Sequence, residues 1–160
     1  MRSSKTYYLP EHVGFYSTNN SESLAVDLSQ NIREILIETI KKRGRASMAV
    51  SGGSTPIPLF VALSQLDIDW SKVDLTLVDD RWVESDHKDS NELLVKSHLI
   101  KNKAGNVNFV PLKNNASTAK EGQASSEEAL KSFTLPFDIL VLGMGADGHT
   151  ASLFPCSEEI

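Results

Sequence analysis

The sequence predicts an α/β protein: a doubly wound, mainly parallel sheet with helices on both faces. Three observations carry that expectation. Short apolar runs of strand length alternate along the chain with segments whose apolar residues recur at helical spacing. One run, Ile139, Leu140, Val141 and Leu142, is continuously apolar, as suits a parallel strand covered on both faces. Three of the runs end in loops of glycine, serine and charged residues: SGGSTP, DDRW and GMGADGHT.

Taken in order, Val13 to Tyr16 reads as a short first strand. Ser21 is the expected N-cap of a helix bearing Leu24, Leu28, Ile32, Ile35, Leu36 and Ile40 at helical spacing. Lys41, Lys42 and Arg43 in its last turn complement the helix dipole, and Gly44 closes it. Ala46 to Val50 is the next strand, running into SGGSTPIPLF. Pro56 falls where a first helical turn begins, a position its fixed φ suits, and the helix is expected over Ile57 to Leu66. Val73 to Val78 forms a strand ending in Asp79, Asp80, Arg81 and Trp82. The loop ESDHKDS leads to a helix from Asn91 to Leu99, and Val107 to Val110 is a strand stopped by Pro111. Thr118 and Glu121 make a capping-box pattern for a helix running towards Phe133, with Gly122 an unfavourable residue inside it. Phe137 to Leu142 is the last strand, and His149 with Thr150 is expected to open a short helical turn.

Length and charge narrow the function. The 160 residues and net charge of −5 fit one domain over 1–160 with a sizeable core. No apolar run reaches the ~18 residues of a membrane span, and the N-terminus lacks the apolar segment of a signal peptide. A cytoplasmic location and no membrane partner are therefore expected. The lone cysteine, Cys156, forbids an intramolecular disulfide, fits a reducing compartment and reads as incidental. The acidic balance argues against a nucleic-acid partner. An anionic ligand would have to be held by local positive groups.

In a parallel sheet the C-terminal ends of the strands share one edge, and ligands bind in the crevice beyond it. The three polar loops should therefore converge on one cleft. Ser51 to Thr55 can present backbone N–H groups and hydroxyls to a phosphate at a helix N-terminus; a plain tight turn is the alternative. It lacks the Lys-Ser/Thr ending of a P-loop. Asp79, Asp80 and Arg81 set two carboxylates beside a guanidinium that can fork onto phosphate oxygens, or else form a surface ion-pair cluster. GMGADG at Gly143 to Gly148 matches the dinucleotide-binding pattern in letters only. Pro155 limits any helix after the glycines, and no acidic residue follows at the required distance. His149 is the candidate general base, because histidine ordinarily titrates near neutrality and this one follows a glycine loop at a strand's end. His12, His87 and His98 stand singly without metal-ligand spacing, and no metal is expected.

Together, SGGSTP, then DDRWV followed by SDHKDSN, then GMGADGHTASLFP closely resemble the 6-phosphogluconolactonase family, part of a larger group shared with glucosamine-6-phosphate deaminases (isomerases). The likeness runs from about Tyr16 to Phe154. It implies a Rossmann-like fold and hydrolysis of 6-phospho-D-glucono-1,5-lactone to 6-phosphogluconate, in the oxidative pentose phosphate pathway, with no cofactor. The partner it implies is that small sugar-phosphate lactone; monomer and homodimer both stay open. By the same resemblance, His149 activates water with Asp147 beside it. Arg81 and the loop of Gly52, Gly53, Ser54 and Thr55 hold the 6-phosphate, and Asp79 and Gly145 belong to the substrate-binding set.

The chain departs from the family pattern in two ways. Asp80 stands where a glutamate is usual, shortening that carboxylate by one methylene. Family members also continue for some tens of residues past the third motif, so the chain is expected to be C-terminally truncated and the isolated 160 residues weakly active or inactive. Two rival functions remain. The deaminases place a glutamate shortly after the histidine, where this chain has Phe154, and a tyrosine where it has Arg81. A non-catalytic sugar-phosphate-binding protein on the same fold is the other.

Overall fold

The structure, a computed structural model, describes residues 10–157. Four strands alternate with helices: α1 (Ser21–Arg43), β1 (Ala46–Val50), α2 (Ile57–Ser64), β2 (Val73–Leu77), α3 (Asn91–His98), β3 (Asn108–Phe109), α4 (Ala119–Leu130) and β4 (Ile139–Val141). Short 3₁₀ turns at Trp70–Lys72 and Asn102–Asn106 lead into β2 and β3. The strands form one parallel sheet in the order β3-β2-β1-β4. The first three strands step outward in one direction, and the connection through α4 then returns across the sheet to place β4 on the other side of β1. The winding therefore reverses between β1 and β4, and at such a point the loops leaving the two strands diverge and open a crevice.

Strand alternation explains the core. Phe109, Leu75, Met48 and Ile139 lie in one row of the register, and their face carries the apolar cluster that includes Phe60 and Leu63 of α2 and Ile32 and Leu36 of α1. The opposite face bears Ser47, Ala49 and Thr76, buried and partly polar. Each hydroxyl there has an acceptor: Ser47 Oγ donates to the Thr134 carbonyl at 2.9 Å, and Thr76 Oγ1 to the Val110 carbonyl at 2.8 Å. Leu140, on that face of β4, is 51% exposed, and Leu142 and Met144 beyond it are exposed as well.

Several expectations shift. Val13 to Tyr16 forms no strand: it pairs with no strand among the described residues, and Phe15 and Tyr16 lie open to solvent. Its short apolar pattern has no neighbouring ladder to complete. The N-cap of α1 is Asn20 rather than Ser21, its side chain accepting the Ser23 N–H at 2.8 Å. The buried stripe of α1 is Ala25, Ser29, Ile32 and Leu36, whereas Leu24, Leu28 and Ile35 are half exposed. Small Ala25 and Ser29 face inward, a choice that packing distance makes and hydrophobicity alone misses. α2 stops at Ser64 instead of Leu66, and β2, β3 and β4 are each shorter than their apolar runs. Gly122 in α4 has a packing reason: a Cβ there would lie 2.3 Å from the ring of Trp82.

Candidate active site

The crevice at the reversal point is a cavity of about 660 Å³ walled by all three polar loops, with Leu24 and Leu28 of α1 along its side. The first loop is tied to the third at the strand ends. Ser51 N–H donates to the Val141 carbonyl at 3.0 Å, and Gly143 N–H donates to Ser51 Oγ at 3.3 Å. The second loop is tied to the third by Ser152, whose hydroxyl donates to Asp79 Oδ2 at 3.0 Å. Parallel winding thus converts three stretches distant in sequence into one hydrogen-bonded rim.

Gly52, Gly53 and Thr55 line the cavity, while Ser54 does not. Among the described residues the N–H groups of Gly52, Gly53, Ser54 and Thr55 donate to nothing, and α2 begins directly behind them. Orphan donors at a helix start form an anion-binding arrangement. Gly53 has φ +89, a left-handed backbone that glycine adopts freely. At Gly52 the reason is space: a Cβ would fall 1.8 Å from Oδ1 of the buried Asn91.

Asp80 also lines the cavity, but its oxygens are engaged by backbone. Its carboxylate accepts the N–H groups of Arg81 (2.8 Å), Asn91 (2.7 Å) and Glu92 (3.3 Å), fastening the second loop to the start of α3 beside the Ser90 cap. An aspartate reaches these donors, so the shorter side chain has a defined job here. Arg81 lines the cavity, and its Nη1 donates to the Asp89 carbonyl at 2.8 Å. Among the described residues no carboxylate pairs with it, so the ion-pair cluster considered for this loop does not form. A guanidinium steadied by a neutral carbonyl keeps its full charge for an anion.

The third loop is built around His149. Its Nδ1 lies 2.5 Å from Asp147 Oδ1, which also accepts the His149 backbone N–H at 3.2 Å. That hydrogen bond from the imidazole is the main reason the Asp147 carboxyl sits below its ordinary range. An ionised carboxylate only accepts, so in the neutral imidazole Nδ1 carries the proton towards it and the lone pair is on Nε2. His149 lines the cavity; Asp147 stands behind it, outside the wall. Gly145 makes room for the pair, since a Cβ there would lie 2.2 Å from the imidazole. Its N–H donates to the His149 carbonyl at 2.8 Å, and Gly148 closes the loop at φ +88.

The helical turn expected from His149 and Thr150 is absent. Thr150 and Leu153 instead form an antiparallel bridge around a tight turn, with Ala151 at φ +50 and Thr150 Oγ1 donating to the Gly143 carbonyl at 2.8 Å. The turn folds Phe154 back onto the imidazole, ring centroids 4.8 Å apart.

Sequence reasoning missed Asn91 and Ser152. Asn91 Nδ2 donates to the Asp79 carbonyl at 2.9 Å, and both residues line the cavity. Each lay inside a recognised motif, SDHKDSN or GHTASLFP, which was the available signal. His12, His87 and His98 lie away from the cavity wall, and no group of three or more His, Cys, Asp or Glu side chains among the described residues could hold a metal.

Residues 19–160 match the family described as glucosamine-6-phosphate isomerases/6-phosphogluconolactonase. A 6-phosphogluconolactonase of Mesorhizobium japonicum is 46% identical over 137 residues, 86% of this chain and 58% of that protein. One from Rhizobium meliloti is 46% identical over 136 residues, covering 85% of this chain and 59% of its own length. The crystal structure of a 6-phosphogluconolactonase from Shewanella baltica is similar with a TM-score of 0.87 at 51% identity, covering 89% of this chain and 61% of that one. The chain thus spans less than two thirds of the length of the curated relatives it matches.

Proposed function

The chain belongs to the glucosamine-6-phosphate isomerase/6-phosphogluconolactonase family, and from that premise we propose that the protein hydrolyses 6-phospho-D-glucono-1,5-lactone to 6-phosphogluconate. The observation that carries this reading is His149, backed by Asp147, on a cavity wall shared with the uncompensated Arg81 and the Gly52–Thr55 loop with its free N–H groups. Groups suited to a phosphate and a candidate base thus line the same cavity.

A lactone is an ester, so a water deprotonated by His149 Nε2 can attack the carbonyl carbon directly. The proton passes to the imidazole, and Asp147 at Nδ1 stabilises the imidazolium that results. The tetrahedral oxyanion needs nearby donors, for which the backbone N–H groups of the glycine loops are candidates. Collapse breaks the bond to the ring oxygen, and His149 returns its proton to that alkoxide. No cofactor enters the scheme. The 6-phosphate is read onto Arg81 and the Gly52, Gly53 and Thr55 backbone, with Asp79 available to a sugar hydroxyl. A cytoplasmic setting, where such a lactone would be formed, accords with the exposed free thiol of Cys156.

The deciding experiment compares His149→Ala with the unsubstituted sequence in direct lactone hydrolysis, both in the full-length protein. Loss of ~10²–10⁴ in kcat with little change in affinity for 6-phosphogluconate is expected of a general base. Unchanged turnover would remove His149 from the role. The deaminase alternative is disfavoured because Phe154, stacked on His149, cannot carry the proton that sugar-ring opening requires. Ammonia released from glucosamine 6-phosphate at a useful rate would reverse that choice.

A further inference from the structure

Nothing in the proposed chemistry assigns a part to Phe154, yet its ring meets the one side chain on which that chemistry turns. The two rings are stacked, with planes 30° apart and centroids 4.8 Å apart. This contact is not a by-product of local periodicity. Phe154 lies five positions beyond His149, a spacing that brings side chains together on no regular element. The Thr150–Leu153 turn creates it: Leu153 N–H donates to the Thr150 carbonyl at 2.9 Å, and Ala151 takes the left-handed backbone. On the far side, Ser157 N–H donates to the Phe154 carbonyl at 2.9 Å, with Pro155 between. The chain is thus held on both sides of the aromatic ring, which is half exposed and itself lines the cavity.

The imidazole is accordingly constrained from several directions. Asp147 fixes its Nδ1, the Nδ1–Cε1 edge occupies the space a Cβ on Gly145 would take, and Phe154 stacks on one face. A hydrogen bond to Nδ1 alone leaves the ring free to swing about that contact, which would carry Nε2 through an arc. A flat ring stacked on the imidazole removes that freedom and excludes water from one face. Its π-system also meets the positive charge the base acquires when it takes a proton.

We propose that Phe154 is a positioning residue for His149: by stacking on the imidazole it fixes the direction of Nε2, and so governs the chemical step rather than phosphate binding. The proposal rests on the lactonase reading for its kinetic arm only.

Phe154→Leu in the full chain keeps an apolar group of similar bulk and removes the flat face. Lactone turnover should fall about 10- to 100-fold in kcat, as expected for a misaimed base, with KM changed less than about twofold. Phe154→Tyr, which restores a flat ring, should recover most of the rate. An unchanged kcat in a folded Phe154→Leu protein, a loss confined to KM, or failure of tyrosine to rescue would each overturn it. Nuclear magnetic resonance supplies a readout independent of turnover. The His149 ring protons should lie upfield in the parent and tyrosine proteins and move downfield in the leucine variant; identical shifts would also overturn the proposal. A full-length parent protein without lactonase activity defeats the functional reading alone, because the resonance experiment still decides whether the rings are stacked.

Discussion

Gly145 shows how little room the proposed base leaves. The position its Cβ would occupy is already filled, 2.2 Å from the imidazole and 2.7 Å from Asp147 Oδ1. Gly145→Ala must therefore push His149 and its carboxylate apart or displace the loop. Turnover should fall at least 10-fold with the fold intact, since misplacement of a base by about 1 Å is enough; circular dichroism with lactone kinetics checks both halves. The same logic applies at Gly52, where the obstacle is Asn91 Oδ1, although the function at risk there is the phosphate loop. Arg81 differs, because its contribution is charge. Arg81→Ala should weaken 6-phosphogluconate binding by one to two orders of magnitude, roughly the 1.5–3 kcal/mol of a charged hydrogen bond, while kcat changes less. Titration calorimetry would read that split.

Elements are held in register by carboxylates that the sequence presents as ordinary surface charge. Asp80 satisfies two N–H groups at the start of α3 as well as that of Arg81. Asp80→Ala should cost about 1–2 kcal/mol of stability by uncapping the helix, measured by denaturant unfolding, and should loosen Arg81 with it. Asp74 does similar work across the sheet. It accepts from Arg45 Nε at 3.0 Å before β1 and from Asn108 Nδ2 at 2.6 Å on β3. Burial pushes the Asp74 carboxyl up, but the hydrogen bonds of Arg45 and Asn108 and the Arg45 charge together hold it below its ordinary range. The sign follows from a folded-state pKa below the unfolded one of about 3.9. This stabilisation is present in full above the unfolded value and is lost as pH falls through the folded one. The gap in melting temperature between the parent and Asp74→Asn should therefore be open at pH 7 and shrink below about pH 4. A gap that does not narrow in acid would assign the loss to something other than this charge.

At the scale of the whole molecule, the cavity exists because the winding reverses. The β3-β2-β1-β4 order sends the loops after β1 and β4 to opposite sides of the crevice, with the Asp79–Arg81 loop after β2 alongside. A ligand that bridges these loops binds only the folded chain, so it should stabilise the fold as a unit. Saturation with 6-phosphogluconate at about 100 times its Kd should add about 2.7 kcal/mol and raise the melting temperature by several degrees, an effect Arg81→Ala should reduce at the same concentration. An unmoved transition in the parent protein would mean that the cavity does not take the phosphosugar.

Fold class and the convergence of the three polar loops on one cavity were legible in the sequence, because both depend on local signals. Alternating strand and helix patterns imply parallel winding, parallel winding implies a shared strand-end edge, and the polar loops named themselves by composition. His149, Asp147, Arg81 and the glycines could be picked out for the same reason. What proximity decides was not legible. Asp80 as a cap for α3, Asn91 against Gly52, Ser152 on Asp79 and Phe154 over His149 are contacts between separate segments or across a non-helical turn. Local pattern leaves the same kind of question open or misjudges it: Leu24 and Leu28 keep helical spacing yet stay half exposed, and the strand expected over Val13 to Tyr16 does not form. A sequence fixes what each segment can do alone; which neighbour it meets depends on distances that only the closed tertiary structure sets.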